Sequence, residues 1–396
     1  MSQDPNVAHR PADNGPEGPA DIDWDAFQLV ALDLDGTLAG PDGRVSPAGL
    51  HALQAAERAG LHPVIVTGRA LPAAMGIWLR AGLTRPVIVC GGALITWPSA
   101  GRALWERPLE PAVVDRALDL ARTLGLAPFL YGPDAIVTDR RGPWRDRLAH
   151  LNEIPIPVID PPPAGPGDGP AETPAPGAAV PGRPGALLAG SSEPAGAGRQ
   201  TAPAAPTAPP TAPSGFNPSG AAGPSTAGPD QGAGPDPAAG LAGWHRGRVY
   251  KVILAGEPEQ AAAVRAQVEQ GLEDLPAVVV ATLPGLLEII RPDATKEAAL
   301  AELCRLLGVP RERVIAVGDG ENDLGMIRWA GLGVAVANAR PEVRAAARLV
   351  IGHHADEGVA RFLQAVVARR GRGPASQGPG PQGPAPQGPG PQGRHD

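Results

Sequence analysis

Cysteine and lysine are nearly missing from this chain: it holds two of each, Cys90 and Cys304, Lys251 and Lys296. Two cysteines far apart in apolar segments exclude a disulfide framework and a zinc site. They fit small core residues in a reducing compartment. A basic cluster is also missing, and the formal net charge is −7. Both facts argue against a nucleic-acid surface, whose footprint is clustered Lys and Arg. No apolar run reaches the ~18 residues of a membrane helix. Residues 1–20, MSQDPNVAHRPADNGPEGPA, lack the charged and then apolar order of a signal peptide. The expected setting is the cytoplasm, with neither membrane nor nucleic acid as partner.

Glycine and proline are plentiful instead, at 53 and 50 residues, more than a quarter of the chain. That level signals low-complexity segments. Most of the excess lies in 1–22, 161–243 and 371–396. The middle stretch has only scattered aliphatics (Val180, Leu187, Leu188, Leu241) and Phe216. Such a segment buries too little apolar surface to offset its ordering entropy, so disorder is expected, with the two ends read likewise. Loop-closure entropy grows slowly with length, so a long insert between two strands is tolerable. The tail's glycines recur every five residues rather than three, which rules out a collagen helix. Solvated spacer is the plain reading of these arms; capture of a partner by their Pro-rich sequence is the other.

The remainder alternates strand and helix. FQLVALDL reads as a buried strand ending at Gly36. SPAGLHALQAAERAG reads as a helix with Ser46 as N-cap, Pro47 at its first position and Gly60 as its stop. HPVIVTGR, ALPAAMGIWLRAG and RPVIVCGG continue the alternation, which predicts a parallel, doubly wound α/β sheet. Between about 93 and 290 the rhythm breaks into short strands (ALITW, GRALWE, APFLYG, DAIVTD, RVYKVILAG, AVVVATL, LLEII) and two helices. This reads as a smaller α+β domain inserted into the first. The alternation then returns from TKEAALAELCRLLG onward.

Asp33 and Asp35 end the first strand, and side chains two apart on a strand point the same way. Ligands of doubly wound sheets bind at this C-terminal edge. Two such charges about 4 Å apart repel by roughly 4 kcal/mol at an effective dielectric of 20. The pair therefore calls for a proton or a cation between its members. Thr67 and Gly68 close the next strand, where a hydroxyl and free N–H groups bind phosphate oxygens. Lys296 opens a helix in a chain that otherwise uses arginine, which marks a need for a compact point charge. VIAVGDGENDLGMI ends another apolar strand at Gly318-Asp319, with Asn322 and Asp323 opening the next helix. Asp323 also reads as an N-cap. Carboxylates converging there make a hard oxygen site suited to Mg²⁺ and substrate phosphate.

DLDGT, TGR, a helix-borne lysine and GDGEND, in this order, resemble the haloacid dehalogenase-like (HAD) superfamily. The insert between the Thr and Lys motifs resembles its C2-capped, Cof-type branch. VYKVILAGEPEQ, LLEIIRPDATKEAAL and AGLGVAVANARPEVRAAA match that branch's wording. The resemblance implies a Rossmann-like HAD core over 23–92 and 291–370. It also implies a C2-type cap over 93–290, interrupted by 161–243. It implies a Mg²⁺-dependent phosphatase acting on a small phosphorylated metabolite through an aspartyl-phosphate. Asp33 would be the nucleophile and Asp35 the general acid/base. Thr67, Gly68, Lys296 and Asn322 would bind phosphate. Asp33, Asp35 (through its carbonyl), Asp319 and Asp323 would serve the metal. Two departures stand out: Cys90-Gly91-Gly92-Ala93 replaces the usual Asn-Gly-Ala, and His354 stands where asparagine is usual. The alternatives are a phosphomutase of the same superfamily and a non-catalytic scaffold using its Pro-rich arms.

Overall fold

The computed structural model describes residues 22–159, 241, 248–281 and 283–370. The low-complexity arms lie outside these, apart from two residues that differ from the sequence expectation. Ile22 and Leu241, assigned above to the disordered stretches, are both buried in apolar clusters. Each is an aliphatic side chain at the margin of a polar run, close enough to a folded element to join its core.

The core sheet has five parallel strands in the order β13-β12-β11-β1-β2. They are β1 (Leu29–Leu32), β2 (His62–Ile65), β11 (Val314–Gly318), β12 (Leu332–Val336) and β13 (Leu349–Ile351). Successive residues of a strand face opposite layers, and here both layers are apolar. Val30 and Leu32 pack with α1 (Pro47–Arg58), α2 (Leu71–Ala81) and the last helix, α9 (Gly358–Arg369). Leu29 and Ala31 pack with Leu300, Leu303 and Cys304 of α6 (Lys296–Leu307). The sheet is covered on both faces, as its near-continuous apolar strands require. Two short helices, α7 (Leu324–Trp329) and α8 (Pro341–Ala346), connect the later strands. Ser46 caps α1 as its sequence predicts, its Oγ accepting from the Gly49 N–H at 2.9 Å.

The third strand, β3 (Val87–Val89), meets the core sheet through one parallel bridge, Val66 to Ile88. It pairs antiparallel with β4 (Leu94–Trp97), which pairs with β5 (Arg102–Glu106). This hairpin falls within the stretch assigned above to the cap, yet Ile95, Leu104 and Trp105 pack against α6. Its apolar face thus shares a cluster with the core helix α6 while forming a three-stranded sheet of its own. Gly92 makes the corner tight: φ is +109°, and a Cβ there would overlap the Thr295 carbonyl just before α6. Gly92→Ala is therefore expected to lower unfolding free energy by about 1–3 kcal/mol, the range for a strained backbone position, read from a denaturant titration.

The second sheet is antiparallel, in the order β7-β6-β8-β10-β9. Its strands are β6 (Ala127–Tyr131), β7 (Ile136–Thr138), β8 (Lys251–Ala255), β9 (Val278–Val280) and β10 (Leu286–Ile290). α3 (Pro111–Leu124) and α5 (Pro258–Gly271) cover one face, burying Val252 and Leu254 of β8. The alternate residues Ile253 and Ala255 join the cluster that contains the core's own side chains. Lys251 shares their side of the strand by the same two-residue period. A further helix that the sequence reading did not identify, α4 (Pro143–Asn152), ends at the buried Asn152. No helix among the described residues is long and apolar enough to cross a membrane.

Candidate active site

β1 ends at Leu32, and Asp33 follows it, buried, with its N–H donating to the Val317 carbonyl at 3.1 Å. One wide turn over Leu34–Leu38 comes next. Gly36 sits there at φ +82°, and a Cβ would overlap the Asp319 carboxylate, so glycine serves both the turn and the close approach. β11 delivers Asp319, whose Oδ1 accepts from the Thr37 hydroxyl at 2.9 Å. Asp323 turns back over the same strand end. Its Oδ2 accepts from the N–H groups of Asp319 (3.0 Å) and Gly320 (2.9 Å). It thus closes the preceding loop instead of capping α7 with its side chain.

Lys296, the first residue of α6, reaches into this group. Its Nζ donates to Asp33 Oδ1 at 2.5 Å and to Asp323 Oδ1 at 2.6 Å. Asp33, Asp319 and Asp323 each offer an oxygen, all within 4.8 Å of one another. Burial, then the facing Asp323, push the Asp33 carboxyl well above the ordinary carboxylate range. Burial likewise raises Asp319, against the Thr37 hydrogen bond. Burial works to lower the Lys296 ammonium, but Asp323 and Asp33 outweigh it and hold the group protonated. Three carboxylates thus face one ammonium in a mostly buried setting. The cluster is short of positive charge, and its donors are hard oxygens, the chemistry that suits Mg²⁺.

The other expected residues fall around this centre unequally. Val66 N–H donates to the Leu32 carbonyl at 2.9 Å, which sets Thr67 beside Asp33 at the sheet edge. Thr67 is buried, and its Oγ1 accepts from the Arg69 N–H at 3.1 Å. Among the described residues the Gly68 N–H has no hydrogen-bond partner. The Asp35 side chain is exposed and outside the carboxylate group; Arg69 grips it through Nε (3.0 Å) and Nη2 (2.6 Å). Asn322 is exposed, and among the described residues it has no side-chain hydrogen bond to another site residue. The His354 Nδ1–H donates to the Ala39 carbonyl at 2.9 Å.

Several contributors went unselected by sequence reasoning. Thr37 and Arg69 lie inside quoted motifs, DLDGT and TGR, and their motifs were the available signal. Asn338 donates to the Gly36 carbonyl at 2.7 Å and accepts from the His354 N–H at 3.0 Å, tying the turn after Asp33 to the loop after β13. Lys251 had a compositional signal: it is the other of the chain's two lysines.

The model of one protein family, described as haloacid dehalogenase-like hydrolase, matches residues 30–156 and 245–363. The chain belongs to the haloacid dehalogenase-like hydrolases. Its resemblance to this family in sequence motifs is matched by its fold. A haloacid dehalogenase-like hydrolase from Bacteroides thetaiotaomicron superposes with a TM-score of 0.61 at 22% identity, over 86% of this chain and 99% of that one. The HAD subclass IIB sugar phosphatase BT4131 gives 0.55 at 17% identity, over 85% and 98%. Among curated relatives, the 5-amino-6-(5-phospho-D-ribitylamino)uracil phosphatase YitU of Bacillus subtilis is 36% identical over 121 residues, 29% of this chain. The chain spans 43% of the length of that relative. The HAD family model leaves 157–244 unmatched, which includes the low-complexity stretch.

Proposed function

We propose that this HAD-family chain is a Mg²⁺-dependent phosphatase acting on a small phosphorylated metabolite, a sugar phosphate or similar phosphomonoester. The observation that carries the reading is the Lys296 bridge between Asp33 and Asp323, with Asp319 in the same group at the C-terminal edge of β1 and β11. The names of YitU and BT4131 support a phosphatase of small phosphorylated substrates. The absence of a membrane-length helix among the described residues is consistent with a cytoplasmic setting.

Asp33 attacks phosphorus, and the bond to the leaving oxygen breaks as an aspartyl-phosphate forms. Asp35 takes a proton from solvent and gives it to that oxygen, and the Arg69 guanidinium steadies the carboxylate that results. In the second half it takes a proton from water as the water oxygen attacks phosphorus and Asp33 is released. Lys296 offsets the repulsion between carboxylate and phosphate. The Thr67 hydroxyl and the Gly68 N–H hold equatorial oxygens, and Asn322, at the rim, orients the phosphate once it is bound. Asp33, Asp319 and the Asp35 carbonyl would hold Mg²⁺, with Asp323 in support, and the ion would neutralise developing charge on the phosphoryl oxygens. Asp323 spends its oxygens on Lys296 and two backbone N–H groups, so its support acts chiefly through position.

The test is phosphate release from an aryl phosphate and from a panel of sugar phosphates and nucleotides. Turnover should need Mg²⁺ and stop with chelator, and acid quench should trap phosphate on the protein. Metal-independent turnover, or no turnover on any of these substrates, would overturn the proposal.

A further inference from the structure

Residues 67–70 carry the expected phosphate-binding hydroxyl, and their backbone is held from two sides. From the core, the Gly91 N–H donates to the Thr67 carbonyl at 3.0 Å and the Cys90 N–H to the Arg69 carbonyl at 2.9 Å. From the inserted domain, Lys251 Nζ donates to the Gly68 carbonyl at 3.0 Å. Asn152 Oδ1 accepts from the Ala70 N–H at 3.1 Å. Both contributors are about 3% exposed. The Arg69 side chain, between these two holds, grips Asp35 and also donates to the Gly43 carbonyl at 2.6 Å.

Burying an ammonium is costly unless it is paired and hydrogen-bonded. Lys251 meets that need with Glu288 Oε2 at 3.1 Å and the face of Tyr131 at 4.5 Å, both within its own domain. Packing alone asks only for an apolar residue here, as Ile253 and Ala255 supply along the same face. What the cation adds is the bond across to the Gly68 carbonyl. Asn152 adds a second bond from a different element, its own Nδ2 anchored on the Leu148 carbonyl at 2.9 Å.

Building on the phosphatase reading above, we infer that Lys251 and Asn152 are positioning residues that act through the 68–70 backbone. With the cap docked they hold Arg69 where its guanidinium orients Asp35. Departure of the cap releases both holds together. Proton transfer by Asp35 is thereby tied to the docked state, and the two residues touch no reacting atom.

The experiment compares full-length wild type, Lys251→Met and Asn152→Ala on two substrates. One is a nitrophenyl phosphate, whose leaving oxygen departs without a proton; the other is the best sugar phosphate, whose alkoxide needs one. The parameter is kcat/KM, which reports steps through phosphoenzyme formation. Each variant should lose about 10²-fold on the sugar phosphate, the lower end of a general acid's contribution, and at least tenfold less on the aryl phosphate. Equal losses on both substrates, or a rise in KM alone, would overturn the inference and make Lys251 a general structural or substrate-binding group. Amide hydrogen exchange at 67–70 is read in the same proteins and needs no turnover. Exchange at Ala70 should quicken at least tenfold in both variants, and unchanged exchange would refute the coupling. Should wild type prove inactive on every substrate, the phosphatase reading falls and the exchange result alone decides the coupling.

Discussion

Asp33→Asn is expected to cut phosphate release by about 10⁴-fold or more, as removal of a covalent nucleophile does. The fold should survive and even gain. Asn keeps the shape and an oxygen for Lys296, but it removes one of three carboxylates facing one ammonium. The folded state already disfavours ionised Asp33, through burial first and Asp323 second. A carboxyl whose folded pKa is raised weakens the fold in full above that pKa, and the penalty fades as pH falls from there into the ordinary carboxylate range. In chelator at neutral pH, the variant's thermal midpoint should therefore equal or exceed that of wild type. Mg²⁺ should raise the wild-type midpoint by binding the native state and raise the variant's less. A variant that turns over normally would remove Asp33 from the chemistry. One that melts lower in chelator would make Asp33 chiefly a structural partner of Lys296.

The charged strand ends were legible because their signals are local. An apolar run of strand length followed by Asp and Gly announces a buried strand whose edge carries charge, and this holds at Asp33 and Asp319 alike. α1 was legible for the same reason: Ser46, Pro47 and Gly60 act within a few residues of themselves. Membership of a sheet is not local. ALITW and GRALWE read as strands, but nothing local in them announces that their apolar face packs against α6. α4 escaped notice because PWRDRLAHLN has a weak apolar stripe, with Leu148 and Asn152 its buried residues. Its placement comes from tertiary bonds such as Trp144 Nε1 to the Gly256 carbonyl at 3.0 Å. The role of Arg69 was hidden likewise, since its partner Asp35 stands on another strand end.

The two lysines join these levels. Arginine carries nearly all positive charge on this protein, and the two exceptions are both buried at the sheet edge where the expected catalytic residues meet. A compact ammonium fits between oxygens where a planar guanidinium is too broad. Lys296 meets the Asp33 and Asp323 carboxylates and Lys251 the Gly68 carbonyl, so rarity in composition marked two buried points of close polar packing.

Lys296→Met is the second substitution with a large expected effect, and it acts on stability as well as on rate. Methionine fills a similar volume without charge, so the change leaves buried Asp33 and Asp323 and half-buried Asp319 without the Lys296 cation. Removing one partner of a buried pair costs about 3–5 kcal/mol, and that loss should appear in denaturant titrations run in chelator. Phosphate release should fall below detection, since attack by one anion on another then lacks its nearest counter-charge. Adding Asp33→Asn to Lys296→Met should recover about 1–3 kcal/mol, because it removes one of the stranded charges. Strict additivity would mean that the lysine and the carboxylate do not share one electrostatic unit. Excess Mg²⁺ should also restore part of the single variant's stability, since the ion would replace a missing positive charge in the same oxygen cluster. Recovery by either route, without recovery of turnover, would separate the two duties of Lys296. Any cation can balance the cluster's charge, but only an ammonium fixed at the start of α6 stands beside both Asp33 and Asp323.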